Sequence, residues 1–496
     1  MTIVQTTLGS LRGTTGVTQF QGIPYAKAER FRPPTPISAW PNPRDARRDG
    51  PVAPQPAARQ LHSRYLAQAS QDEVCLSLSV ATPAMPSSTP SVEADPDFSS
   101  RPVVVFIHGG SYDTGAGSAD LYSPTIMCTD SDVVVVKPNY RLGALGFLCL
   151  PGVADGNMGL LDIIAALRWV QAHITQFGGD PGNVTVIGHE AGAHAIMCLL
   201  TMWNSQGLFH RAILASCPIA ITPQSREIAR QNAILLCEVA GVESSELATL
   251  SVAQIIATQS KLERSARRFA DVEMPFMPMF EDLHGHTDAT RFVSAAAKSA
   301  AARRTPLIIG TTREEMHATL SIDSALLPPS PLAIASRFNE ITGSPDTIAL
   351  YRHRRAGGGD YDLLGDLLTD HLFLFPSLGL AEALTDAGGQ AWVYQFDWAP
   401  RGSQLRACQA IDIACLFGNA QNWAETKMLD DADPAEFSSI GGALRAALGE
   451  FAHTNDPDAP GLPWPPYERT QRITMRFDIA LGPVGDLAGA GWRWGG

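Results

Sequence analysis

Apolar residues along this chain gather in two alternating kinds of pattern. Short continuous runs closed by turn residues occur at "RPVVVFIHGG" (101–110), "DVVVVKPNY" (132–140), "NVTVIGHE" (183–190), "TPLIIGTT" (305–312) and "AWVYQFDW" (391–398). Unbroken apolarity, rather than alternation with polar positions, marks strands covered on both faces, as in a parallel sheet flanked by helices. Helical periods lie between these runs. In 159–176, Ile163, Leu167, Val170 and Ile174 fall on one stripe, and Gly178 and Gly179 follow as a stop. Another helix, carrying Ile196, Leu199 and Leu200, is expected after the run at 183–190. The opening "MTIVQTTLGSLRG" reads as a strand from its first residues. Two stretches read as loops: 82–100, rich in Pro, Ser and acidic residues, and "RRAGGGDYD" at 354–362. No internal repeat at solenoid or propeller periods is evident. The pattern predicts a doubly wound α/β sheet with long insertions, forming one large domain over 1–496.

One junction raises a chemical question. The strand run ending at Gly188 passes through His189-Glu190-Ala191-Gly192 into a helix of small residues. That is the layout of a nucleophile elbow, G-x-S-x-G, in which a sharp turn presents a serine hydroxyl. Here the central residue is a glutamate.

Composition adds exclusions more than identity. The 496 residues are 45% hydrophobic and 18% charged, as in ordinary globular proteins, and the net charge of −13 would repel a nucleic-acid backbone. The N-terminus has no basic segment followed by an apolar one, and no window reads as a run of about 18 apolar residues. The eight cysteines show no CxxC spacing, which fits reduced, buried thiols. The expectation is a cytoplasmic protein acting on a small molecule, without membrane or nucleic-acid partners. No cofactor is expected, since no GxGxxG follows a strand and no P-loop occurs. "HGH" at 284–286, followed by Asp288, lacks further spaced ligands, so no metal site is assigned.

Several ordered motifs, together spanning some 480 residues, give the chain a family resemblance. "FQGIPYAKAERFRPPTP" and "EVCLSLSV" come first, then "IHGGSYDTGAG" (107–117), "NYRLGALGF" (139–147), the stretch 156–188 and "LFHRAILAS" (208–216). "WPPYERTQRITMRFD" closes the series. In this order they resemble the type-B carboxylesterase/cholinesterase family of α/β-hydrolases. The resemblance implies an α/β-hydrolase fold and a serine–acid–histidine triad. Glu190 occupies the serine position, "GTTREEM" places Glu315 at the acid position, and counting back from Gly418 puts Gln409 at the histidine position. Gly109, Gly110 and Ala191 are the implied oxyanion-hole donors. The family's disulfides lack partners, because no cysteine precedes Cys75 and none follows Cys237 at the usual distance.

Fold does not carry function, so the altered site is read from its chemistry. Loss of the hydroxyl and the imidazole closes the usual route to ester cleavage. A glutamyl ester formed by Glu190 would persist, because Gln409 cannot activate water. General acid–base work fits better: Gln409 is expected to link Glu190 and Glu315, and the carboxyl pair to raise one pKa before an intact oxyanion hole. The leading expectation is therefore a non-hydrolytic lyase, dehydratase, isomerase or cyclase acting on an apolar metabolite. Specialised-metabolite biosynthesis is its setting, where such scaffolds are recruited. Two alternatives stand beside it: an inert binding or interaction protein whose Glu190 merely fills the oxyanion hole, and an esterase using another serine such as Ser111. Ser111, Tyr112, His189, His194 and Trp398 are candidate pocket residues, with Phe417 as an aromatic wall. His108 is expected to hold the oxyanion loop.

Overall fold

In the computed structural model, which describes residues 2–14, 16–57, 63–83, 101–266, 274–280, 288–322 and 330–486, the apolar runs form the middle of a ten-stranded sheet. Its strands are β1 (Thr18–Pro24), β2 (Ser77–Thr82), β3 (Arg101–Ile107), β4 (Val134–Pro138), β5 (Gly179–His189), β6 (Arg211–Ala215), β7 (Leu307–Thr312), β8 (Ala391–Phe396), β9 (Ile473–Phe477) and β10 (Gly482–Gly485). Their spatial order is β1-β2-β4-β3-β5-β6-β7-β8-β9-β10. From β4 to β9 every pairing is parallel; the edge pairs β1–β2, β2–β4 and β9–β10 are antiparallel. The expected opening strand is present as Thr2–Thr6, paired with Gly9–Gly13 in a separate small sheet.

Period-two geometry sends neighbouring residues of each run to opposite faces. Phe106, Ile187, Ile213, Ile308 and Trp392 line up across five strands and pack with helices α1 (Thr125–Ser131), α6 (Ile411–Phe417) and α7 (Pro434–Thr454). Val105, Val186, Ala212, Leu307 and Ala391 face the other way. They pack with α2 (Met158–His173), α3 (Ala191–Thr201), α4 (Ala289–Arg303) and α5 (Phe375–Asp386). Two buried faces explain why these runs read as continuously apolar.

The periodic segment 159–176 is α2 followed by a 3-10 turn, Ile174–Phe177, and stops where Gly178 takes φ 83°. The "NYRLG" run is explained by a buried fork. Arg141 Nε and Nη2 donate to Asp162 of α2 at 2.8 and 2.7 Å, while Nη1 donates to the Arg32 carbonyl at 2.8 Å. Three distant segments are thereby fixed behind the carboxyl ends of β3 and β4.

Two expectations change. The loop read at 354–362 spans only 355–359, because Asp360 and Asp362 open a helix, Asp360–Thr369, with Asp362 capping the Gly359 amide at 3.0 Å. Local Gly content signalled the break, but acidic first-turn residues belong to the helix. Residues 84–100, most of the other loop reading, lie outside the described residues, as does "HGH". The helical run Asp360–Asp386 is, by length and composition, apolar enough to cross a membrane, which the sequence reading did not register; 67% of its most apolar window is buried inside the fold.

Candidate active site

Strand order reverses between β3 and β5: the chain leaves β3 for β4 on one side and returns to β5 on the other. Ligands of open α/β sheets bind outside the carboxyl ends of strands at such a switch point. Both segments singled out by sequence meet there, the loop His108–Thr114 after β3 and the elbow after β5.

The elbow has the geometry its spacing demands. Glu190 takes φ 52° and ψ −113° between β5 and α3, a strained conformation for a residue with a side chain. Its amide donates to the Ala215 carbonyl at 2.9 Å, and its carbonyl accepts from His194 N at 2.9 Å to begin the helix. Gly188 and Gly192 make the tight turn possible. A Cβ on Gly188 would stand 2.4 Å from Ala193 N, and one on Gly192 would stand 2.1 Å from the Ile107 carbonyl oxygen.

The carboxylate itself lies in the oxyanion hole. Glu190 Oε2 accepts from Gly110 N at 2.7 Å and Ser111 N at 2.8 Å; Oε1 accepts only the Ser111 hydroxyl, at 3.2 Å. The donors are thus Gly110 and Ser111, not the expected Gly109 and Gly110, and Ala191 donates nothing to the carboxylate. Sequence motif alone cannot fix this register. The loop turns through positive φ at Gly110, Ser111 and Tyr112, which swings the second and third residues after His108 toward the elbow. The expectation of a vacant hole facing Glu190 is corrected with it.

Gln409 does not link the two carboxyl groups. It is half-buried in the turn before α6, between Cys408, which bridges Glu314, and Ala410 at φ 74°, and it makes no hydrogen bond to Glu190 or Glu315. Glu315 is fully buried after β7; Oε1 accepts from Thr312 N at 2.7 Å and Oε2 has no partner among the described residues. Its acidic neighbour is Asp412 of α6. Burial first, then the Asp412 carboxyl, push Glu315 up to about 8. Burial also raises Asp412 to about 6, against the Tyr394 hydroxyl that donates to it at 2.8 Å. The coupled pair expected at Glu190 and Glu315 is therefore Glu315 and Asp412. The signal was present in sequence, as one acid inside the apolar run "AIDIACLFG".

The histidines around the loop and elbow are buried. His194 accepts from the Tyr112 hydroxyl at 2.8 Å through Nδ1 and donates from Nε2 to the Ile221 carbonyl at 2.9 Å; burial holds it down at about 4. Its candidacy as a proton relay lapses, because both ring nitrogens are engaged and the ring is neutral. Tyr112 is likewise buried rather than lining the site, and Tyr112→Phe would leave His194 Nδ1 with only the weak Cys198 thiol at 4.0 Å. That substitution is expected to cost about 1–3 kcal/mol, read from the denaturant midpoint at unchanged m. His108 stacks on Tyr140 at 4.4 Å, and Tyr140 donates to the His108 carbonyl at 2.8 Å, so it holds the loop as expected. His189 is buried beside Gly109 and lowered to about 3, by burial and then by His108. Trp398 is no pocket residue: it is 1% exposed, packs on Phe437 and donates to Glu436 at 3.2 Å. Phe417 is core beside Phe106. Ser111 remains exposed at the mouth of the site.

Among the described residues no cluster of three His, Cys, Asp or Glu side chains has the arrangement to hold a metal ion. All eight cysteines are buried and none is in a disulfide.

With this geometry in hand, comparisons place the chain among known proteins. The model of the carboxylesterase family matches residues 1–484. A "Probable N-octanoylanthranilate hydrolase" of Rhodococcus erythropolis is 35% identical over 463 residues, covering 91% of this chain and 92% of its own. The para-nitrobenzyl esterase of Bacillus subtilis is 32% identical, covering 97% and 95%. Among solved structures, a thermophilic PNB esterase superposes with a TM-score of 0.82 at 30% identity, covering 98% of each chain. A carboxylesterase of Geobacillus stearothermophilus also reaches 0.82, at 28% identity and 98% of each chain.

Proposed function

The chain belongs to the carboxylesterase family, an α/β-hydrolase scaffold, and from that premise we propose that it is a member which moves protons rather than acyl groups. Glu190 is the proposed general base, acting on an apolar small molecule in a lyase, isomerase or cyclase step. The observation that carries this reading is the division of labour between the two carboxylate oxygens. Oε2 is pinned by two backbone amides, whereas Oε1 is met only by the hydroxyl of exposed Ser111. A base held in one orientation at a strand-to-helix tip, with one oxygen open, is preorganised for proton abstraction. Acyl transfer is disfavoured twice over. Residue 190 offers no hydroxyl, and two of the amides that would stabilise a tetrahedral oxyanion, Gly110 N and Ser111 N, are already occupied.

The same occupancy favours a second reading, in which the site binds a ligand without altering it. One experiment separates the readings. Small-molecule extracts are incubated with the wild type and with Glu190→Gln, and the products are compared by mass spectrometry. The expected result is a mass-neutral or water-loss conversion by the wild type, absent in a variant of unchanged Tm. Binding without conversion supports the inert reading. Labelling of the wild type by an organophosphonate, or steady ester cleavage, would sink the proposal.

A further inference from the structure

Among the described residues Glu190 has no counter-ion. Its partners are two amide dipoles and one hydroxyl, and no lysine or arginine among the described residues pairs with it. His108, His189 and His194, the histidines nearest the loop and elbow, are held neutral by burial. The surrounding phenols are also uncharged: burial first, and the Glu190 charge next, raise Tyr122 and Tyr140. A half-buried carboxylate in a neutral shell lacks the compensation that buried charges normally require. One acceptor direction on Oε1 remains open beyond the Ser111 contact.

Resting on the proton-transfer reading above, we infer that the ligand is a nitrogen cation, an alkylammonium or an iminium that arrives already formed, seated on Oε1 of Glu190. The filled oxyanion hole selects for this charge. A reaction that builds negative charge on a carbonyl oxygen finds two of its donors taken, because Gly110 N and Ser111 N already serve Glu190. Deprotonation of a cation needs no such donor, since charge is neutralised as the reaction proceeds. In that step the proton on the carbon next to an iminium passes to Oε1. The C–H electron pair becomes the new C=C bond, and the C=N π pair moves onto nitrogen. An iminium and a carboxylate become a neutral enamine and a carboxylic acid; where a further C=C is conjugated to the enamine, return of the proton to the far (γ) carbon, with the nitrogen lone pair re-forming C=N, gives an isomeric iminium of unchanged mass. The overall charge of −13 assists the approach of a cation through solvent.

The test uses benzylammonium against its neutral near-isostere benzyl alcohol, titrated into the wild-type protein at neutral pH by calorimetry or ligand-observed NMR. We expect the ammonium to bind at least about tenfold more tightly, equivalent to 1.4 kcal/mol. Glu190→Gln and Glu190→Ala, each checked for unchanged Tm, should erase the preference. Equal affinities in the wild type, no saturable ammonium binding, or a preference that survives in both folded variants would each overturn the inference. Failure here together with a conversion that depends on Glu190 removes only the cation. Ammonium preference without any conversion removes the catalytic reading and leaves a cation-binding site.

Discussion

Glu190→Ser combined with Gln409→His should turn the chain into an esterase, with p-nitrophenyl ester hydrolysis rising at least about 10³-fold over the wild type. In serine hydrolases, loss of either nucleophile or histidine costs about 10⁶ in kcat, nearly as much as losing the whole triad. Each single variant should therefore stay at background, and only the pair should respond. Three observations favour this outcome. The backbone at residue 190 holds φ 52° and ψ −113° because Gly188 and Gly192 permit the close approach, whichever side chain it carries. Removing the glutamate frees Gly110 N and Ser111 N to receive a developing oxyanion. Glu315 Oε2, buried and without a hydrogen-bond partner among the described residues, is expected to serve as the acceptor an imidazole at 409 needs for orientation. Organophosphonate labelling should appear in the double variant alone. A folded double variant that is neither labelled nor active would show that more than two side chains separate this site from ester hydrolysis.

The legibility of this molecule in its sequence divides along physical lines. Strands buried on both faces announce themselves as unbroken apolar runs, so β3, β4, β5, β7 and β8 are readable within a few residues, whereas the five-residue β6 is not. The elbow was readable because two glycines four apart record backbone contacts that a Cβ would prevent. What failed depended on torsions and rotamers. The one-residue error in the oxyanion donors came from a loop whose positive φ values decide which amides converge. The link through Gln409 failed because family position fixes its backbone, not where a flexible amide points. Trp398 was misread because an aromatic residue near a motif is as readily core as pocket. Asp412 went unremarked, although a charge inside an apolar helix stands out once the question is which acid faces Glu315.

That pairing carries the second large prediction, in the pH dependence of stability. Glu315 is fully buried and raised from the ordinary 4.5 to about 8. A carboxyl whose pKa is higher folded than unfolded binds its proton more tightly in the folded state. Its contribution to stability is therefore complete below about pH 4.5 and is lost progressively as pH rises to about 8. Asp412, raised from 3.8 to about 6, adds a loss of the same sign over a lower window. Glu315→Gln keeps the acceptor for Thr312 N and removes the titration. The variant should match the wild type near pH 4.5 and exceed it by several kcal/mol at pH 8, seen as Tm curves that diverge as pH rises. Parallel curves would mean that the folded chain accommodates an ionised Glu315 without penalty. In the Glu190→Ser/Gln409→His background the requirement reverses. There Glu315 must be anionic to orient the imidazole, so Glu315→Gln should stabilise the fold while abolishing the acquired esterase activity. A single proton on one buried acid thus separates what stabilises this site from what would make it hydrolyse esters.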